Sequence, residues 1–275
     1  MGKLIVSDLK KLMKCRTVWV CAVIAFLIGM LMTYLYDMAW NNMADTENYQ
    51  KVFYFMRTMG MDSDTTKQML SQFPSQVFWQ YINTLFSDGN IILFAAVVIS
   101  VYIGSEYNEG TFKNTLSRGF SRTSVYLSKY ISAVLAMAIT VISYIAGGGL
   151  IAAIKFDLTT DVTDEEMIIK VLAYSVLFIA VTGVFMLIAT LSKRTGYAIA
   201  LNIVIPIIIS LVVRILSFGF DWVTRIASYW IFDNITLVTT LYESNDICIT
   251  FIIAPIYLIV SVAVGIFAFS RQEIK

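Results

Sequence analysis

The chain has 275 residues, 58% of them hydrophobic and 14% charged, with a net charge of +1 and a mean hydropathy of +0.75. Soluble domains carry about 25% charged residues on a wet surface, so this composition excludes a soluble enzyme. Histidine is absent and the three cysteines (Cys15, Cys21, Cys248) form no C-x-x-C pair, which removes His-based zinc sites, Ser-His-Asp triads and cysteine redox or metal motifs.

Residues 1–16 carry two stripes at helical spacing. Ile5, Leu9, Leu12 and Met13 are apolar, and Lys3, Lys10, Lys11 and Lys14 are basic. That pattern predicts an amphipathic helix lying on a membrane surface. A membrane-crossing helix needs about 20 mostly apolar residues to traverse roughly 30 Å of hydrocarbon. The first such run is Thr17–Tyr36. It exceeds a signal-peptide core and no small-x-small cleavage site follows it, so it is read as a retained span.

The segment 37–87 is polar but contains Phe53, Tyr54, Phe55, Phe73 and Phe78, and is expected to form a small extracellular helical cap. Further spans are predicted at about 88–105, 130–154, 171–191, 197–213 and 247–269, each built on a charge-free run. An acidic stretch with Asp161, Asp164, Glu165 and Glu166 precedes the fourth span, where carboxylates suit a solvated helix start. Leu216–Asp246, with Trp222, Ile226, Tyr229 and Trp230 at helical spacing, is expected to lie along the outer surface. The fold class is therefore an all-α integral membrane protein, with one six-span domain over 17–275. All three cysteines are read as small, buried apolar residues.

Charge sorts cleanly on this count. The segments on the same side as the two termini, inner loops included, hold 13 of the 20 basic residues and only four acidic ones, Asp8, Glu106, Glu109 and Glu273. The positive-inside rule then places both termini in the cytoplasm, and the expected location is a bacterial plasma membrane. Within the spans, Asn202 stands four residues before Pro206. It either holds the helix bundle together or touches a substrate. Tyr144 either lines a path or packs. Gly147, Gly148 and Gly149 are expected to let two helices approach closely.

The loop after the second span reads Gly104-Ser-Glu-Tyr-Asn-Glu-Gly-Thr-Phe-Lys-Asn-Thr-Leu-Ser-Arg-Gly-Phe-Ser-Arg122. Gly110 and Gly119 bracket about two helical turns, roughly 12 Å long. Phe112, Leu116 and Phe120 recur every four residues as an apolar ridge, suited to a groove on a partner. Lys113 and Arg118 are placed to face water or lipid phosphate.

Glu106, Gly110, Thr111, Lys113 and Leu116, followed by Ser121, Arg122 and Lys129, resemble the inner loop of type-2 ABC exporter permeases. The resemblance spans the chain, from the basic surface helix to the closing Phe269-Ser-Arg-Gln-Glu-Ile-Lys275. One departure is Gly119-Phe120, where many relatives carry proline. The resemblance implies a coupling helix resting on a separate ATP-binding cassette subunit, with contacts from Glu106, Glu109, Gly110, Thr111, Phe112, Lys113, Leu116 and Arg122. It also implies a second permease chain, identical or a sister, with a passage between the two; Asn202 and Tyr144 are the candidates along it read from their place inside the spans. ATP and magnesium would reside on the partner subunit, so this chain would bind no cofactor or metal and catalyse nothing. Accordingly, it contains no Gly-x-x-x-x-Gly-Lys-Ser/Thr loop. Membrane lipid is an expected partner and nucleic acid is not. Small bacterial members of such a family often export antimicrobial or other amphipathic peptides, and an acidic outer face would suit cationic ones. The rival expectations are an ion-coupled secondary transporter, which the charge-free spans disfavour, and a non-transporting sensor or immunity scaffold.

Overall fold

The computed structural model describes residues 2–44, 77–158, 164–217, 220, 222–223, 229–240 and 244–272. Among these, ten helices follow in order. They are α1 (Gly2–Lys14), α2 (Arg16–Ala44), α3 (Phe78–Phe86), α4 (Gly89–Asn108), α5 (Thr111–Ser117), α6 (Arg122–Lys155), α7 (Asp164–Ser192), α8 (Thr195–Ser217), α9 (Ile231–Thr240) and α10 (Ser244–Arg271). Six stretches are long and apolar enough to cross a bilayer: Arg16–Ala39, Tyr81–Asn108, Arg122–Lys155, Met167–Ser192, Thr195–Val213 and Cys248–Arg271. The all-α membrane fold and its six spans are as expected. Most of the 37–87 cap and residue Ile226 lie outside the described residues.

Helix ends differ from the charge-free runs for a simple reason. Hydropathy marks the hydrocarbon, whereas helices stop at caps and breakers. Helix α6 has 34 residues, about 51 Å at 1.5 Å per residue, well beyond the roughly 30 Å of a hydrocarbon core. Its start is set by Ser121, whose hydroxyl accepts from the Ser124 amide at 3.2 Å as an N-cap. At the other end of the molecule, Asp88 caps α4 by accepting from the Asn90 amide at 3.0 Å. A residue at positive φ, Lys193 (55°), turns the chain between α7 and α8.

Three long pairings organise the bundle: α2 runs along α6, α10 along α7, and α8 along α4. The first depends on absent side chains. A Cβ on Gly147 would collide with the Phe26 carbonyl, and one on Gly29 with the Tyr144 carbonyl. The expected close approach of helices at the glycine triplet is therefore real, and its partner is the first span. At the end away from the termini, Tyr36, Tyr81 and Phe156 pack as a ring cluster, and Lys155 pairs with Asp37 at 3.4 Å. All three cysteines are free thiols. Cys15 and Cys21 are half-buried, whereas Cys248 is exposed at the start of the last span, where contact with lipid rather than protein suits a small apolar side chain.

Candidate coupling and translocation sites

Around α5 the chain is built from backbone conformation first. Gly110 (φ 64°) and Gly119 (φ 84°) both occupy the left-handed region that side chains disfavour. They let the chain leave α4, form two turns and enter α6 within a dozen residues. The apolar ridge then folds inward. Phe112 is buried between Tyr107 and Phe269, with ring centroids at 4.7 and 5.1 Å. Leu116 and Phe120 pack against the same core. This differs from the expectation of an outward ridge: burying it against α10 satisfies the same apolar surface without a partner. The side chains left exposed on α5 and its C-cap are Lys113, Asn114, Ser117 and Arg118.

Polar groups lock α5 in place. Glu106, only 1% exposed, receives Lys11 Nζ at 2.7 Å, Lys129 Nζ at 3.0 Å and the hydroxyl of Thr111. Lys129 is itself 2% exposed and also pairs with Asp8 on α1 at 2.7 Å, while Ser128 donates to the same Asp8 carboxylate. Two carboxylates and two ammonium groups thus form a neutral, saturated cluster joining α1, α4, α5 and α6. Burial makes such a cluster intolerant of losing Asp8, Glu106 or Lys129, the three members shielded from solvent. Among the other expected contact residues, Glu109 is exposed and 4.0 Å from Lys11. Arg122 turns away from α5 and donates to the carbonyls of Phe269, Ser270 and Gln272 at 3.1, 3.0 and 2.6 Å. A guanidinium there satisfies the open carbonyls at the end of α10 and favours its negative pole.

The second site lies toward the far end of α4. A cleft of about 510 Å³ opens between α4, α8 and α9, walled by Ile92, Leu93, Ile207, Leu211 and Phe232. Its polar lining is acceptor-rich. Asp88 and Asp233 stand at it, and Asn202 reaches it from within. Asn202 is 1% exposed and donates from Nδ2 to Ser100 Oγ at 2.7 Å and to the Phe185 carbonyl at 3.1 Å. Its Oδ1 has no partner among the described residues. The side chain thus ties α4, α7 and α8 together and keeps a buried, unpartnered carbonyl oxygen beside the cleft. Tyr144 does not line the cleft. Fully buried, it donates its hydroxyl to Asp88 and so fixes that carboxylate at the cleft margin.

Some of these groups were hidden from sequence reading. In the sequence Asp8 is one of four acidic residues on the side of the termini, and Asp88 only the first residue of the second span. The one available signal is that Asp8 interrupts an apolar row, four residues after Leu4 and four before Leu12, which are the buried positions of α1.

With this geometry in view, a family model described as ABC-2 family transporter protein matches residues 3–274. The chain belongs to that family. It is the transmembrane part of an ABC transporter and a multi-pass membrane protein, and the family in general works with an ATP-binding cassette partner. No curated protein matches the chain significantly.

Proposed function

We propose that this ABC-2 chain is the membrane half of an ATP-driven exporter of cationic amphipathic peptides. Two permease chains, identical or sisters, pair across the membrane with both termini in the cytoplasm. A separate ATP-binding cassette subunit, carrying ATP and magnesium, rests against α5. The observation that carries the coupling is the anchoring of α5: a two-turn helix with a buried ridge, an anchoring carboxylate and an exposed polar face. A push on Lys113 or Ser117 is transmitted through Phe112 to α10 and through Glu106 to α1, α4 and α6. A helix so anchored moves as part of the bundle rather than folding away.

Substrate class is supported by the cleft. Its described lining includes the carboxylates of Asp88 and Asp233, the latter accepting from Ser210 at 3.1 Å, and an unpartnered carbonyl oxygen on Asn202. Ammonium or guanidinium groups on an apolar scaffold complement such a wall. The exposed apolar side chains that flank it, Leu93, Ile207 and Leu211, give a second permease chain or lipid a surface to cover.

The test is co-expression with a cognate ATP-binding cassette subunit, reading capture and peptide-stimulated ATPase activity for wild type and Lys113→Glu. Lys113 is exposed and forms no pair among the described residues, so the variant should unfold at the wild-type temperature. Capture or stimulation should fall with that charge reversal. If a well-folded wild-type chain captures no ATP-binding subunit, the exporter reading fails.

A further inference from the structure

A crevice of about 370 Å³ separates α1 from α5. Ordinary liquid water takes about 30 Å³ per molecule, so the space equals roughly a dozen waters and admits a phosphate with part of its headgroup. Its lining includes four cationic residues, Lys3, Lys11, Arg118 and Lys129, and two carboxylates, Asp8 and Glu106. The carboxylates are already consumed: Lys129 bridges both, and Lys11 takes Glu106 at 2.7 Å. The positive excess therefore belongs to Lys3 and Arg118, whose exposed side chains form no ion pair or hydrogen bond among the described residues. Neutral donors accompany them, in the Ser7 hydroxyl and the Asn114 amide.

Depth points to the source of the matching anion. Helix α1 buries Leu4, Asp8 and Leu12 against the protein, yet leaves Val6 and Met13 more than half exposed beside Lys10 and Lys14. Apolar and basic side chains exposed on the same short helix suit the boundary between acyl chains and headgroups. Lipid phosphates populate that layer on either side of a membrane, and acidic lipids concentrate at basic segments.

We propose that the crevice between α1 and α5 binds a phosphate-bearing anion, supplied by the headgroup of an acidic phospholipid. Lys3 reaches the phosphate from α1 and Arg118 from α5, with Ser7 and Asn114 donating from the same two helices. The bound lipid fastens the surface helix to the short helix at a second point, alongside the Lys11–Glu106 pair. This site requires neither the ATP-binding subunit nor any transported substrate, so it stands or falls apart from the exporter reading.

The experiment uses the full chain purified in a neutral detergent and titrated with phosphatidylglycerol, phosphatidylcholine or inorganic phosphate. Bound lipid is read by native mass spectrometry and stabilisation by the unfolding temperature. Wild type should retain phosphatidylglycerol in preference to phosphatidylcholine. The double variant Lys3→Gln/Arg118→Gln should bind it at least about tenfold more weakly. A control, Lys10→Gln/Lys14→Gln, removes the same charge from α1 outside the crevice and should bind as wild type does. All three chains should unfold alike without added lipid, since none of the altered side chains is paired. Inorganic phosphate stabilising wild type as well as the lipid does would overturn the lipid source. Equal losses in the two double variants, or none in either, would overturn the site itself.

Discussion

The two ends of α4 handle buried polarity in opposite ways. Near Glu106, every carboxylate in the cluster has an ammonium within 3.0 Å and a hydroxyl beside it. Near Asp88, eighteen residues earlier and about 27 Å along the helix, a cleft opens whose described lining includes Asp88 and Asp233, and deeper in it Asn202 holds a buried oxygen without a partner among the described residues. A saturated network fixes geometry and has nothing left to offer a ligand. An unsaturated one costs stability, and such a cost is tolerated where something else completes it. The contrast teaches that the cluster itself positions α5 and leaves any binding at that end to the unpaired Lys3 and Arg118 beside it, whereas the cleft keeps an unpartnered oxygen of its own.

The largest effect should come from breaking the saturated end. Lys129→Met leaves Asp8 buried with only Ser128 as a partner, and losing one member of a buried pair costs about 3–5 kcal/mol. Denaturant unfolding in micelles would show it; a wild-type midpoint would mean that the cluster does not hold the fold.

At the unsaturated end the outcome should be reversed. Asn202→Leu removes an orphaned oxygen along with its two donated bonds, so stability should change by only about 1 kcal/mol. Uptake of a cationic peptide into inverted vesicles should nevertheless fall by on the order of tenfold, the value of one hydrogen bond to a charged group. Unchanged transport by this variant would remove the cleft from the path.

The smallest effect sharpens the first comparison from within. Glu109 lies three residues from Glu106, but its side chain is 62% exposed and its Lys11 contact is 4.0 Å. Glu109→Gln should shift unfolding by less than about 1 kcal/mol, as exposed pairs do. A larger shift would show that α5 is held from its surface rather than from its buried face.

Spans, the limits of α5 and the glycine contact were all legible in the chain because each is written locally. A charge-free run names its own solvent, and a glycine names the backbone it permits. Arg122 illustrates the opposite case. Its neighbours in sequence placed it with α5, yet its partners are carbonyls about 150 residues away. Likewise, Phe112 reads as an exposed ridge until Phe269 is brought against it.

What the chain determined by itself is thus the solvent of each segment: six apolar crossings, a basic surface helix and a short glycine-bounded turn on one side. What only the tertiary structure decided is which polar groups are spent and which are free. Asp8 and Lys129 stand 121 residues apart and Asn202 and Ser100 stand 102 apart, and no local pattern carries that pairing. Charge and hydropathy act on a residue through its immediate solvent. The saturation of a carboxylate depends on the long-range approach of helices, and here that approach filled the partners of Glu106 and left the Asn202 oxygen without one among the described residues.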